Sequence, residues 1–188
     1  MAVRFILIAA GRCSPRLDER FDDGRPLDPQ GVAEVEAAAG RFRALAAAGL
    51  RYCSPSPRAR HTGGLLGLTP LAQPALRDID MDRWAGVRLD QVMAREPQAV
   101  AAWLEDPRRT PYGGEPLPAF VARVGGWLET RPQDAGDVVA VLDPGVLRAA
   151  VVYALGAPPQ VFWRTEAFPL AAVSLAGERG TWAVRLEP

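Results

Sequence analysis

Phe5-Ile6-Leu7-Ile8-Ala9-Ala10-Gly11 is the stretch on which the fold turns. It has no polar residue to mark a solvent face. A continuous apolar run of this length reads as a strand covered on both sides, as at the centre of a parallel sheet. Gly11 then allows the backbone to turn. Val138 to Leu142 repeats the pattern, with Gly145 close behind.

Helical patterns lie between and around these runs. Asp28-Pro29 reads as an N-cap followed by Pro at the first helical position. Val32, Val35, Ala39, Phe42 and Ala46 then recur at helical spacing, predicting a helix from Pro29 to Ala48. Leu50 to Cys53 reads as a short strand, and Ser54-Pro55-Ser56-Pro57 separates it from a helix over Arg58 to Leu66. The segment from Thr69 to Gly114 is irregular and rich in Asp, Arg and Trp. One helix is expected within it, Leu89 to Leu104, broken or kinked at Pro97. Leu117 to Glu129 and the residues from Gly145 through Leu155 read as helices, and 171–176 with 181–186 as a hairpin around Gly177 and Gly180. Strands alternating with helices predict one α/β domain over residues 1–188 with a mainly parallel sheet.

Composition narrows the function. The chain has 188 residues, 22 basic and 22 acidic, so its formal net charge is zero. That opposes a nucleic-acid or anionic-membrane footprint, which needs clustered surplus cations. Every basic residue is Arg, there is no Lys or Asn, and Ala, Gly and Pro abound. This reads as the codon bias of a high-GC bacterium. Schiff-base and P-loop lysine chemistry are excluded. Cys13 and Cys53 make no disulfide framework. No apolar run reaches membrane-span length, and the first strand starts too early to leave room for a signal peptide. A cytoplasmic protein is expected.

In parallel sheets ligands bind beyond the carboxyl ends of the strands. Three segments are therefore neighbours: Ala9 to Arg16, Ser54 to Arg58 and Asp143 to Gly145. In that order they resemble the histidine phosphatase (phosphoglycerate mutase-like) superfamily. Ser54-Pro55-Ser56-Pro57-Arg58-Ala59-Arg60-His61-Thr62 is similar to its Ser-Pro-x-x-Arg-Ala-x-x-Thr. Leu27-Asp28-Pro29-Gln30-Gly31 is similar to Leu-Thr-x-x-Gly. Residues Leu76 to Gly86 resemble its Leu-x-Glu-x-x-x-Gly-x-Trp-Glu-Gly. Gly113-Gly114-Glu115, with Arg123 downstream, resembles Gly-Gly-Glu-Ser and a following Arg. Val138 to Arg148 is similar to Val-x-Val-Val-Ser-His-Gly-Gly-Val-Ile-Arg. The resemblance spans nearly the whole chain and implies a three-layer α/β sandwich, phosphoglycerate mutase-like.

The resemblance implies a pocket of two Arg and two His that binds a phosphoryl group, one His attacking phosphorus and a carboxylic acid protonating the leaving oxygen. Here the Arg-His-Gly motif is Ala9-Ala10-Gly11, so the nucleophile position is Ala10 and the first Arg position Ala9. Cys13 and Arg16 replace a Thr and an Asn. The second His position is Asp143. Arg58 remains, and Asp78 stands at the acid position. A methyl group cannot attack phosphorus. Asp143 also brings negative charge to a phosphate seat, where two like charges about 4 Å apart repel by roughly 4 kcal/mol at an effective dielectric of about 20. Each lost transition-state partner costs a factor of about 10² to 10⁴. The phosphohistidine mechanism is excluded.

Each remaining candidate has a plain alternative. Arg58 is an anion ligand or, preferably, the partner of an internal ion pair with Asp143 or Asp78. If an anion site survives, Arg12 or Arg16 supplies the missing cation. His61 follows Arg58 by three residues on one helix face, yet family members carry Gln or His there without a catalytic role. Cys13 reaches Arg16 after two residues and Cys53 reaches Arg58 after four, neither of which fits the five-residue spacing of a cysteine phosphatase. Both read as small buried hydrophobes. Asp78, Asp80, Asp82 and Asp143 are a candidate hard-cation cluster, but a solvated acidic loop with Arg77, Arg83 and Arg88 as partners is preferred. The five tryptophans read as core and rim packing.

The expected function is a pseudo-phosphatase without cofactor or metal. It binds a small anionic metabolite through Arg58, Arg12, Arg16, Asp78 and Asp143, or a protein partner, a second copy of the chain included, through the Asp/Arg/Trp-rich middle segment. Two alternatives stand beside it: an enzyme of altered chemistry using Asp78 and Asp143, with or without a divalent metal, and a weak phosphomonoesterase relying on Arg58.

Overall fold

The computed structural model describes residues 3–13, 20–22, 24–132, 136–178 and 180–187. The two fully apolar runs become adjacent strands, β1 (Val3–Ala9) and, after β2 (Leu50–Cys53) and β3 (Leu71–Ala72), β4 (Asp137–Leu142). With β5 (Ala172–Glu178) and β6 (Thr181–Glu187) they form a six-stranded sheet of order β3-β2-β4-β1-β5-β6. The first four strands run parallel, and the β5–β6 hairpin joins β1 antiparallel. β1 and β4 pair from Arg4–Asp137 to Ala9–Leu142, so both deliver their carboxyl ends to the same edge.

The apolar runs have no polar alternate because helices cover both faces. α1 (Pro29–Phe42) and α2 (Pro57–Leu65) bring Val35, Phe42 and Ala59 onto Ile6, Ile8, Val139 and Val141. Two short helices follow, α3 (Leu89–Arg95) and α4 (Pro97–Glu105). α5 (Leu117–Glu129) and α6 (Pro144–Ala154) bring Phe120, Val124 and Val146 onto Phe5, Leu7, Val138 and Ala140. Each large side chain so buried contributes about 1.5–3 kcal/mol. The helix starts follow the expected caps. Asp28 accepts the Gly31 N–H at 2.6 Å and Ser56 the Ala59 N–H at 3.1 Å.

The helix expected over Leu89 to Leu104 with a break or kink at Pro97 is two helices, because Glu96 at φ −136° and ψ 51° breaks the chain before Pro97 opens the second. Three details depart from the sequence reading. The helix after Asp28 ends at Phe42 and tightens into a 3₁₀ turn over Arg43–Ala47. Strand β3 and the 3₁₀ segment Pro159–Arg164 carry no periodicity and were not expected. Gly11 has no positive φ, and it serves space rather than turning: a Cβ there would lie 2.6 Å from Val35 Cγ2 and 2.9 Å from Leu27 Cδ2. Trp84, Trp103 and Tyr112 of the middle segment fold into their own buried cluster with Met81, Val92 and Val100. Among the described residues no helix is long and apolar enough to cross a membrane.

Candidate functional site

The carboxyl ends of β1, β2 and β4 converge on Arg58. Its position follows from local sequence: Ser54-Pro55-Ser56 stops β2, Ser56 caps α2, and Arg58 falls in the first turn, 5% exposed. Nε donates to Asp143 Oδ1 at 3.0 Å, and Nη2 donates to the same oxygen at 2.8 Å. Nη2 also reaches Asp22 Oδ2 at 2.6 Å, and Nη1 donates to Cys13 Sγ at 2.9 Å. Asp143 is held in turn. Its backbone N–H donates to Ser54 Oγ at 3.0 Å, and its Oδ1 accepts from Ser56 Oγ at 2.7 Å. The Ser-Pro-x-x-Arg stretch therefore builds a cradle for a carboxylate that the chain itself supplies.

Asp78 completes the group. Asp22, Asp78 and Asp143 each offer an oxygen within 4.8 Å of the others, the geometry of a cation seat. Burial, reinforced by the charges of Asp22 and Asp143, pushes Asp78 well above the ordinary carboxylate range, so the protonated acid is favoured. Burial acts on Asp22 as well, but Arg58, the hydrogen bond with Asp78 and the Gly24 N–H outweigh it and hold Asp22 low. The bond between the two thus runs from the Asp78 acid to the Asp22 carboxylate. Burial raises Asp143 against the pull of Arg58 and Ser56. Arg58 loses to burial but gains more from Asp143 and Asp22, and its charge is secured. One guanidinium between two carboxylates and a neutral acid leaves this floor slightly negative.

Beside the floor opens a cavity of about 300 Å³. Cys13, Asp22, Arg58 and Asp78 form its polar end, and Phe21, Ile79, Met81, Trp103, Phe162 and Trp163 its apolar walls. Arg20, Arg25 and Arg148 add positive charge. Arg148 donates through Nε and Nη2 to the Phe162 carbonyl at 3.2 and 2.6 Å, and its guanidinium lies 4.0 Å from the centre of the Phe162 ring.

The predicted residues divide accordingly. Arg58, Asp78 and Asp143 are brought together, and the ion pair expected of Arg58 is with Asp143. Ala10 is fully buried in the core beneath. Arg12 turns to α1, where it bonds Asp28 at 3.1 Å and approaches Glu34 at 3.9 Å. Gly31 makes room for that segment, since a Cβ there would sit 2.2 Å from the Arg12 carbonyl. Arg16 lies outside the described residues. Asp80 and Asp82 do not join Asp78. Asp80 Oδ1 caps the Asp82 N–H, and both abut Gly113-Gly114. Arg77, Arg83 and Arg88 pair with Glu115, Glu96 and Asp90 rather than with these aspartates. His61 is exposed on α2.

Cys13 corrects the sequence reading. It is no fully buried hydrophobe but, half-buried, lines the cavity and accepts from Arg58 Nη1. Cys53 is buried, and burial pushes its thiol up to about 11. Asp22 and Arg148 were missed. Asp22 stands in an aperiodic loop, and no spacing announces it. Arg148 had a signal: four residues after Pro144, it shares the helix face that lines the cavity.

The Glu115–Arg123 motif has a mechanical meaning. Arg123 grips both Glu115 oxygens at 2.9 and 2.6 Å, and its Nη1 donates to the Ala75 and Arg77 carbonyls at 2.8 and 3.0 Å. It pins the chain just before Asp78 to α5 and thereby aims the acid.

The chain is similar in sequence and in fold to known proteins. Phosphoserine phosphatase 1 of Hydrogenobacter thermophilus is 30% identical over 99 residues, 51% of this chain and 47% of that protein. The chain spans about half or less of the length of the curated relatives it matches. YhfR of Bacillus stearothermophilus superposes with a TM-score of 0.86 at 20% identity, covering 99% of this chain and 96% of its own. The alpha-ribazole phosphatase of Shigella flexneri gives 0.82 at 21%, covering 97% and 95%. At such identities these two structures speak for the fold alone. Residues 12–187 match the family model described as histidine phosphatase superfamily (branch 1), and the chain belongs to that superfamily.

Proposed function

We propose that this protein is a non-catalytic member of its superfamily that binds a small molecule in the cavity beside Arg58. The observation that carries the reading is the occupied cradle: the one retained phosphate-pocket arginine spends its Nε and Nη2 on Asp143 and Asp22. An incoming phosphate would have to displace a buried carboxylate held by an arginine and a serine. The nucleophile position, Ala10, offers only a methyl group. Burial of Trp84 and Trp103 in their own cluster favours a small molecule over a protein docking on the middle segment.

The carboxylate triad supports a second reading, metal-assisted chemistry on Asp22, Asp78 and Asp143. Arg58 works against it, because its guanidinium already supplies the positive charge that such a site would attract. The test is hydrolysis of p-nitrophenyl phosphate with and without Mg²⁺, Mn²⁺ or Zn²⁺, with Arg58→Ala as contamination control. No turnover under any condition is expected. Turnover that disappears in Arg58→Ala overturns the reading, and a metal requirement would assign the activity to the triad.

A further inference from the structure

We infer that the cavity takes a small aromatic carboxylate whose anionic group pairs with Arg148 rather than with Arg58. The inference rests on reading the cavity as a binding site, and it moves the anion contact away from the seat the family fold provides.

Three observations converge. First, Arg58 is spent: Asp143, Asp22 and Cys13 take its three nitrogens. Second, Arg148 is not. Two of its nitrogens donate to one carbonyl, and no carboxylate lies within ion-pair distance of it among the described residues. The guanidinium is partly buried, and burial lowers its pKa against the more distant pull of Asp78 and Glu166. A cation withdrawn from water with no carboxylate in direct contact favours an anion beside it. It lines both the main cavity and the hollow along Thr165 to Phe168, so it stands where the two meet.

Third, much of the lining beside Arg148 is aromatic and apolar: Phe21, Trp103 and Trp163, with Met81 and Ile79. Phe21 is already stacked at 5.3 Å on Trp84 and Trp163 sits edge-on to Trp103 at 4.1 Å, so the rings are braced before a ligand arrives. Rigid aromatic walls receive a planar ring at little entropic cost. A volume of about 300 Å³ is at the small end of ligand pockets, which suits one or two fused rings. The charge argument selects a carboxylate over a phosphate. One guanidinium edge matches one planar monoanionic carboxylate, whereas a dianion would carry a second charge toward the acidic groups that already act on Arg148, Asp78 and Glu166.

The test is calorimetric titration of the full chain with 2-naphthoate, with neutral 2-naphthamide and inorganic phosphate titrated in parallel. Expected are saturable binding of 2-naphthoate, binding of the amide weaker by about tenfold or more, and no displacement by phosphate. Arg148→Gln should lose the preference for the acid, and Arg148→Lys, which keeps the charge but not the fork, should fall between. No saturable binding up to ~1 mM, equal affinity for acid and amide, or phosphate competition each overturns the inference. So does an Arg148→Gln protein that still prefers the acid. If Arg148→Gln does not fold, the acid–amide comparison on the unaltered protein decides. Failure here is separable from failure of the non-catalytic reading, which falls only to Arg58-dependent hydrolysis.

Discussion

Arg58 binds one oxygen of Asp143 through two nitrogens, at 3.0 and 2.8 Å, in a site where the arginine is 5% and the aspartate 1% exposed. The carboxylate serves the arginine as a built-in anion, and Asp22 takes a further bond from the same guanidinium.

Such a pair is strongly felt when one partner goes. Arg58→Met leaves Asp143 and Asp22 without their shared cation, and breaking a buried pair costs about 3–5 kcal/mol. Urea unfolding at pH 7 should show a loss of that order. Adding Asp143→Asn should recover part of it, since one unpaired buried charge is then removed. Stability of Arg58→Met within ~1 kcal/mol of the unaltered protein would mean the pair holds little.

The acid beside this pair predicts a pH dependence of definite sign. Asp78 has its pKa raised in the folded state by burial and by Asp22 and Asp143. The folded chain then holds a proton that the unfolded chain releases near 3.8. Stability from this group is full below that value and is lost as pH climbs toward the folded pKa. Asp78→Asn keeps the shape without the titration. It should raise stability near pH 7 relative to the unaltered protein and flatten the fall above pH ~4 in thermal unfolding. An unchanged slope would place the titration elsewhere.

The sheet was readable because both central strands advertise burial on two faces, and the caps at Asp28 and Ser56 fixed where helices start. An ion pair of Arg58 with Asp143 or Asp78 was readable through the family resemblance, which puts all three in one pocket, and Asp143 is the partner it meets. Asp22 was not. It comes from a loop whose path depends on what it meets, the guanidinium of Arg58 and the Asp78 acid, and no local pattern encodes that meeting. Cys13 was misjudged for the same reason, a thiol assigned by average burial rather than by its neighbour. The tryptophans read correctly as packing, but that three aromatic side chains would wall a cavity depended on α4 and the 3₁₀ turn at Pro159–Arg164 coming together, over about 60 residues of chain.

The clamp at Arg123 is a further test of how the acid is aimed. Removing the side chain frees Glu115 and two carbonyls, and charged hydrogen bonds of this kind contribute about 1.5–3 kcal/mol each. With Arg123 and Glu115 18% and 12% exposed, a total near the lower end is expected for Arg123→Ala. Hydrogen exchange should quicken at Arg77 to Ile79 more than on the distant hairpin. Uniform quickening would mean a general loss of stability rather than a freed segment.

The contact between Asp78 and the start of α6 can be read by a double-mutant cycle. A Cβ on Gly145 would lie 2.2 Å from Asp78 Oδ1 and 3.0 Å from its Cγ. The carboxyl cannot simply swing aside, because Oδ1 accepts the Ile79 N–H at 2.8 Å and Asp22 holds it from the other side. Gly145→Ala should therefore destabilise by about 1–3 kcal/mol despite the better helix propensity of alanine. With Asp78→Ala in place the clashing oxygens are gone, and the same change should become neutral or stabilising by up to ~1 kcal/mol. A coupling of at least ~1 kcal/mol between the two sites is the expected result. Additivity would mean that the helix start and the acid shift apart freely, and that the floor of the cavity is softer than its hydrogen bonds imply.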